Sequence, residues 1–175
     1  SGSYCQGNTG VSVTLSGTQS AGLNYVLYKD GIQQGGAALG TGAAMNFGTQ
    51  LSGTYTIKAH RIATYMYADM NGSAVIAEDP TTVGGSIAGG STVFTGNTSG
   101  MLTLVGNVGT VLNWQSSTTE GASWDNISNT ENWYISSPLT ETTWFRAHVQ
   151  SGSCTSAFSV PAIVTVTTAP AIYNL

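Results

Sequence analysis

The chain repeats the stretch Cys5-Gln-Gly-Asn-Thr-Gly-Val-Ser-Val-Thr-Leu-Ser-Gly17: residues 94–106 read Phe-Thr-Gly-Asn-Thr-Ser-Gly-Met-Leu-Thr-Leu-Val-Gly, with six identical positions and no gap. Three further pairs of segments follow in the same order at an offset of 89 or 88 residues: Asn24-Tyr25 with Asn113-Trp114, Lys58-Ala59-His60 with Arg146-Ala147-His148, and Ala74-Val75-Ile76 with Ala162-Ile163-Val164. A nearly constant offset indicates a tandem duplication. The 175 residues therefore hold two copies of one unit.

Short segments of alternating apolar and polar residues fill each unit, and Gly-, Ser- and Asn-rich turns separate them. This alternation predicts β-strands. The predicted strands are Val11–Leu15, Leu23–Tyr28, a weak polar strand after it, Met45–Phe47, Thr54–His60 and Ser73–Ala77, and in the second unit Met101–Val105, Val111–Gln115, Asn132–Ile135, Trp144–Val149 and Ala162–Thr167. About seven strands per unit predict an all-β fold of two tandem immunoglobulin-like antiparallel β-sandwich domains.

The repeat also predicts the domain organisation. We expect one sandwich over residues 1–79, a short linker over 80–85, a second sandwich over 86–168 and a connector to a following repeat over 169–175. Joining Leu175 to Ser1 gives a plausible continuous sequence. We therefore expect the chain to be one two-domain period of a longer tandem array.

Composition excludes several classes of partner. Only 7% of the residues are charged, four of them are basic, and the formal net charge is −4. Four basic residues are too few to form the positively charged surface that binds a phosphate backbone, so no nucleic-acid partner is expected. The chain contains no apolar run of the roughly 18–20 residues that a membrane helix needs, so no membrane insertion is expected.

The aromatic residues fall into two groups. Tyr25 and Trp114 occupy equivalent positions on the third strand of each unit, where a sandwich buries a large aromatic, and we expect both in the core. Trp124, Trp133 and Trp144 are candidate contacts for a glycan or a partner, because exposed aromatic rings stack on sugar rings. The alternative is that these tryptophans are partly covered at a domain junction or by a neighbouring chain.

The sequence offers little for catalysis. His60 and His148 are repeat equivalents, and the alternation of their strand points both side chains away from the core. The pattern therefore predicts solvated strand residues rather than part of a catalytic triad. No nucleophile elbow, zinc-protease motif or phosphate-binding loop occurs, and the acidic residues are scattered. We therefore expect no enzyme activity, no cofactor and no metal.

The two cysteines are the least expected feature of the repeat. Cys5 aligns with Phe94 and Cys154 aligns with Met66, so each unit keeps one cysteine and one apolar residue at the same two places. Because an intrachain bond would join different domains, we expect Cys5 and Cys154 to be unpaired, partly buried thiols near Met66 and Phe94. The alternative is an intermolecular disulfide between copies in a fibre.

Several sequence segments resemble the immunoglobulin-like repeats of giant bacterial cell-surface adhesins. Such adhesins are typically exported by type IX secretion and occur in gliding or biofilm bacteria. The segments include Ser3-Tyr-Cys-Gln-Gly-Asn-Thr-Gly10, Asn24-Tyr-Val-Leu-Tyr-Lys-Asp-Gly31, Leu51-Ser-Gly-Thr-Tyr-Thr-Ile-Lys-Ala59 and Arg146-Ala-His-Val-Gln-Ser-Gly-Ser-Cys154. The resemblance covers nearly the whole chain. That family usually has cysteines at the positions of Phe94 and Met66, and this chain departs from it there.

Together these patterns favour a structural function outside the cell. We expect a repeat segment of an extracellular fibre or cell-surface adhesin stalk, whose partners are neighbouring copies or adjacent repeats of the same chain. The alternative is a carbohydrate-binding module of a secreted protein that uses the exposed tryptophans on a glycan surface.

Overall fold

The computed structural model describes residues 1–18, 22–61, 63–64 and 66–170. The chain divides into two compact units, Ser1–Asp79 and Pro80–Leu175. All the regular elements within the described residues are β-strands, and none of these residues forms a helix able to cross a membrane. Most of the connector expected over 169–175 lies outside the described residues.

The first unit is a sandwich of a larger and a smaller sheet. In the larger sheet the strand order is β1-β8-β6-β3-β4, with β7 also paired to β6, and the smaller sheet is β2-β5. The β1–β8 pair is parallel and the remaining pairs are antiparallel. The strands are β1 Gly2–Cys5, β2 Val11–Leu15, β3 Leu23–Lys29, β4 Ile32–Leu39, β5 Met45–Gln50, β6 Gly53–Arg61, β7 Tyr67–Asp69 and β8 Ala74–Asp79.

The second unit repeats this strand order. Its larger sheet runs β10-β17-β15-β12-β13, with β16 also paired to β15, and its smaller sheet runs β14-β11-β9. Again the outermost pair, β10 with β17, is parallel. The strands are β9 Ser86–Ala88, β10 Thr92–Phe94, β11 Leu102–Val105, β12 Thr110–Ser117, β13 Asp125–Ile127, β14 Trp133–Tyr134, β15 Thr143–Gln150, β16 Ala157–Phe158 and β17 Ala162–Thr167. The predicted all-β, immunoglobulin-like fold is confirmed.

The core of each unit centres on the aromatic residue that its repeat position predicts. Tyr25 and Trp114 are buried, which confirms the prediction, and the Trp114 Nε1–H donates to the backbone oxygen of Glu131 at 2.9 Å. Tyr55 is also buried, and its hydroxyl donates to the backbone oxygen of Leu51 at 2.7 Å. This bond is the tyrosine corner that immunoglobulin-like sandwiches form before their sixth strand.

The segment expected as a linker is bonded to the second unit. Val83 and Val108 exchange two backbone hydrogen bonds of 3.2 and 2.9 Å. A Cβ on Gly84 would overlap the backbone oxygen of Phe158, so only glycine fits this close approach. Residues 82–85 therefore pack as part of the second sandwich rather than as a free tether.

The prediction of unpaired cysteines is wrong. Cys5 and Cys154 are both disulfide-bonded, and no described cysteine is free. Met66 and Phe94, which we expected beside buried thiols, are 72% and 48% exposed. The prediction failed because repeat alignment compares equivalent positions, and equivalence in sequence does not determine which residues lie close together in the fold.

Tyr134 links the two sheets of the second unit. Its ring centroid lies 5.7 Å from that of Trp114 and 5.8 Å from that of Phe145. Burial raises the pKa of the Tyr134 hydroxyl above its ordinary value of 10.0, because the phenolate loses hydration there.

This pKa shift predicts an alkaline loss of stability. Above about pH 10 the unfolded chain ionises Tyr134 while the folded chain keeps it neutral, so the free energy of unfolding falls as pH rises. Tyr134→Phe should leave stability at pH 7 nearly unchanged and flatten this alkaline decline, measured by urea unfolding at pH 7 and pH 11. The control is Tyr67→Phe on the exposed β7. An equally steep decline in Tyr134→Phe would contradict the assignment.

Candidate functional site

The outer surface of the larger sheet in the second unit gathers polar and aromatic side chains. Residues on β12 and β15 alternate between the core and this surface because successive strand residues point to opposite faces. Trp114 and Ala147 point inward as a cross-strand pair, so their neighbours point outward. We call this surface the Arg146 face, and it consists of Asn113, Gln115, Trp124, Asn126, Arg146, His148 and Phe158.

Arg146 is held between two aromatic rings. Its guanidinium carbon lies 3.9 Å from the ring centroid of Trp124 and 3.8 Å from that of Phe158. The Arg146 Nε–H donates to Gln115 Oε1 at 2.7 Å. Burial lowers the pKa of Arg146, yet a guanidinium stays charged at neutral pH. The guanidinium is therefore held in one position by two rings and a hydrogen bond.

A row of side-chain amides continues from Arg146 across the sheet. Asn126 Oδ1 accepts hydrogen bonds of 2.8 Å from both Gln115 Nε2 and Asn113 Nδ2. Asn113 Oδ1 in turn lies 3.2 Å from His148 Nδ1. Because Asn113 Oδ1 is an acceptor, Nδ1 is the protonated nitrogen of His148, and in the neutral ring Nε2 keeps its lone pair.

His148 is the last residue of this row, and its ring contacts an aromatic side chain. His148 stacks on Phe158 with ring centroids 4.4 Å apart. Phe158 thus contacts Arg146 and His148 together. Within the described part of the chain, no hydrogen bond reaches the terminal Nη groups of Arg146. The face therefore presents a charged donor, ring surfaces and a histidine nitrogen, which suits recognition of a polar ligand.

The first unit has a simpler counterpart of this face. Lys58 occupies the repeat position of Arg146, lies 5.1 Å from the Tyr28 ring centroid and forms an ion pair of 3.3 Å with Asp69. His60 stacks on Tyr67 at 5.0 Å. The stacking of a histidine on an aromatic residue of the adjacent short strand therefore occurs in both units.

Burial of the two histidines differs from our prediction. His60 is only 8% exposed, so its description as a solvated strand residue is wrong. Strand alternation correctly predicted that the His60 side chain points away from the core. The ring is nevertheless covered, because the Tyr67 ring stacks against it. His148 is half-buried for the same reason, against Phe158.

The three candidate tryptophans do not share one surface. Trp124 contacts Arg146, and Trp144 lies on the same outer sheet face, opposite Ser117 and Ile163. Trp133 lies on β14 in the smaller sheet and is 49% exposed. Since β14 and β15 belong to opposite sheets of the sandwich, Trp124 and Trp144 lie on one outer surface and Trp133 lies on another.

Most members of the Arg146 face were missed by the sequence reasoning. Asn113 and Gln115 flank the core residue Trp114, so the alternation of side chains along the strand is enough to point both of them outward. Asn126 and Phe158 lie on short strands that we did not predict, and no motif marks them. Across the described ranges, no group of three or more His, Cys, Asp or Glu residues is placed to hold a metal ion.

Comparison with known proteins gives one family model. Residues 83–168 match a domain of unknown function, DUF8696. The match coincides with the second sandwich and its preceding segment, and it covers just under half of the chain. No curated protein matches the chain.

Solved structures of immunoglobulin-like and fibronectin-like domains are similar to the chain at low identity. A three-domain immunoglobulin structure of titin is 13% identical, with a TM-score of 0.42, over 97% of this chain and 63% of its own. The four N-terminal immunoglobulin domains of Dscam1 are 11% identical, with a TM-score of 0.44, over 94% and 43%. The fibronectin(III)-like modules of CbhA from Clostridium thermocellum are 10% identical, with a TM-score of 0.39, over 95% and 88%.

The chain spans about three fifths of the titin structure and less than half of the Dscam1 structure. At these identities and TM-scores the comparisons carry no functional argument. The immunoglobulin-like description rests on the strand order of the chain itself, with its parallel outer pair and tyrosine corner.

The position of Arg146 between two rings, at 3.9 and 3.8 Å, predicts a larger stabilising role than that of Lys58, which contacts one ring at 5.1 Å and one exposed carboxylate. Each close cation–π contact contributes about 0.5–1 kcal/mol at an exposed site, whereas an exposed ion pair contributes about 0–1 kcal/mol. Arg146→Gln should therefore lower the free energy of unfolding of the second unit by about 1–2 kcal/mol. The matched variant Lys58→Gln should change the first unit less, and equal losses in urea unfolding would contradict this interpretation.

Proposed function

We propose that the chain is a structural segment of an extracellular fibre or cell-surface adhesin stalk. In this role its tandem β-sandwich units act as stiff spacers in adhesion or filament assembly. The observation that carries the proposal is the repetition of one strand order in two successive units of the same polypeptide. Repeating a folded unit lengthens a polypeptide without requiring a new reaction site.

The cysteines support a location outside the cytoplasm. Both are disulfide-bonded, and such bonds persist in oxidising environments such as the cell surface and the secreted fraction. The same location is favoured by the sequence segments that resemble bacterial adhesin repeats, among them Leu51-Ser-Gly-Thr-Tyr55. They also suggest a bacterial surface protein.

The low charge suits close packing of repeated units. With 7% charged residues, neighbouring copies repel one another weakly, and this repulsion depends little on salt. Neighbouring copies or adjacent repeats of the same chain are therefore the partners that the proposal names.

Electron microscopy tests the structural role. Immunogold labelling of the cells that produce the chain should place it outside the cell, on filaments or surface projections. Proteins built from one, two and three tandem copies should lengthen in equal steps in rotary-shadowed images. Labelling confined to the cell interior, or particles whose length does not rise with copy number, would contradict the proposal.

A carbohydrate-binding function is the second candidate. The Arg146 face favours it, because ring surfaces of Trp124 and Phe158 adjoin side-chain amides, and Trp144 lies on the same outer sheet face. Sugar hydroxyls pair with amides and guanidinium groups, and aromatic rings supply apolar area beside them. Arg146 is also the sole basic residue of residues 80–175, which favours an acidic glycan.

Glycan-array binding tests this second candidate. If the face binds sugars, Trp144→Ala should reduce binding at least tenfold, whereas Trp133→Ala on the opposite sheet should leave it unchanged. Circular dichroism would establish that both variants are folded. Binding lost equally in both variants, or absent from the unaltered chain, would contradict a glycan site on this face.

A further inference from the structure

The cations at the equivalent positions of the two units differ in their counter-ions. In the first unit Lys58 pairs with the Asp69 carboxylate at 3.3 Å, across the ladder that β6 forms with β7. In the second unit Arg146 occupies the same position on β15, and among the described residues no carboxylate pairs with it. All eight acidic side chains of the chain belong to the described residues. None of them therefore serves as a counter-ion for Arg146.

In the second unit a valine takes the place of the acidic residue. In both units the histidine stacks on an aromatic residue of the neighbouring short strand, Tyr67 in the first and Phe158 in the second. Two residues after this aromatic, the first unit has Asp69 and the second has Val160. The side chain that supplies the counter-ion in one unit is therefore apolar in the other.

Val160 lies on the same outer side as Arg146. The segment after β16 continues beside β15, because the Ser159 N–H donates to the backbone oxygen of Ala147 at 2.9 Å. Phe158 contacts the outer surface and Ser159 is buried, so the alternation points Val160 outward, where it is 64% exposed. The position next to Arg146 thus carries no charge and is open to solvent.

The packing of Arg146 restricts how it can bind a ligand. Rings whose centroids lie 3.9 and 3.8 Å from the guanidinium carbon cover both flat faces of the group, because rings at its edge would lie farther from this carbon. The Nε–H already donates to Gln115. The remaining donors are on the two terminal nitrogens, and in the plane of the group they match the two oxygens of a carboxylate.

We propose that the Arg146 face binds the carboxylate of a sugar acid, such as a uronic acid residue of a glycan. The carboxylate accepts one hydrogen bond from each terminal nitrogen of Arg146 and takes the place that Asp69 has beside Lys58. This inference rests on the carbohydrate-binding candidate and assigns the charged group of its ligand. A singly charged group is favoured over a phosphate, because Arg146 is the sole basic residue of residues 80–175.

The groups around Arg146 suit the rest of a sugar. Asn126 Oδ1 accepts two hydrogen bonds, whereas its Nδ2 donates none within the described part of the chain. One sugar hydroxyl can accept from this Nδ2, and another can donate to His148 Nε2. Trp144 precedes Arg146 by two residues, about 7 Å along the strand, so its ring is within reach of the same sugar. An acidic peptide side chain would use Arg146 alone.

Matched ligands test the charged group on the full chain. The probes are short oligosaccharides of galacturonic, glucuronic and mannuronic acid, each as the free acid and as its carboxyl methyl ester, titrated by calorimetry. We expect at least one free acid to bind. Its ester should bind at least roughly tenfold more weakly, because the ester loses the charge-assisted hydrogen bonds.

The outcomes separate this inference from the candidate on which it rests. Equal affinity for acid and ester, or binding of neutral sugars alone, overturns the carboxylate assignment and leaves the carbohydrate-binding candidate standing. Stronger binding of an O-sulfated neutral oligosaccharide, or of an oligoglutamate peptide, than of every sugar acid also overturns the assignment. Failure of every oligosaccharide to bind, neutral ones included, overturns both.

Variants of the chain test where the carboxylate binds. Val160→Asp supplies within the chain the carboxylate that the first unit has, so it should pair with Arg146 and weaken binding of the free acid at least roughly tenfold. Val105→Asp adds the same charge to the smaller sheet and should leave binding unchanged. Arg146→Lys should also weaken binding, since an ammonium cannot form two parallel hydrogen bonds.

Circular dichroism would establish that the three variants are folded. Equal affinities of Val160→Asp and Val105→Asp, or an unchanged affinity in Arg146→Lys, would overturn the proposal.

Discussion

The antiparallel pairing of the two central strands is the constraint on which each sandwich depends. In the first unit β3 pairs with β6 along seven residues, and in the second β12 pairs with β15 along nearly the whole of both strands. This register places Tyr25 opposite Ala59 and Trp114 opposite Ala147. A large ring therefore meets a small side chain across the ladder, which leaves room for the facing sheet to pack on it.

The same register creates the outer surface. Because side chains alternate with a period of two, every inward pair is followed by an outward pair. Arg146 thus lies opposite Gln115, and His148 lies opposite Asn113. A slip of one residue would exchange the core and the Arg146 face completely. The core and the candidate recognition surface are two consequences of one ladder, and neither can change register without the other.

The two units differ on the outer face of the larger sheet, where side chains are not part of the core. Lys58 forms an ion pair with Asp69, whereas Arg146, at the equivalent position, lies between two rings. Duplication thus preserved the centre of the sandwich, and the units diverged where substitution costs less packing.

The sequence by itself determined the duplication, the all-β class, the principal strands and the core residues Tyr25 and Trp114, because these follow from spacing and period-two alternation within short segments. It failed for the cysteines and the burial of His60, and it left open which of Trp124, Trp133 and Trp144 share a surface. Those properties depend on which strands become neighbours and on what covers an outward side chain. Only the tertiary structure decided them, because strand neighbours and ring contacts join residues far apart in the chain, and local periodicity carries no information about such pairs.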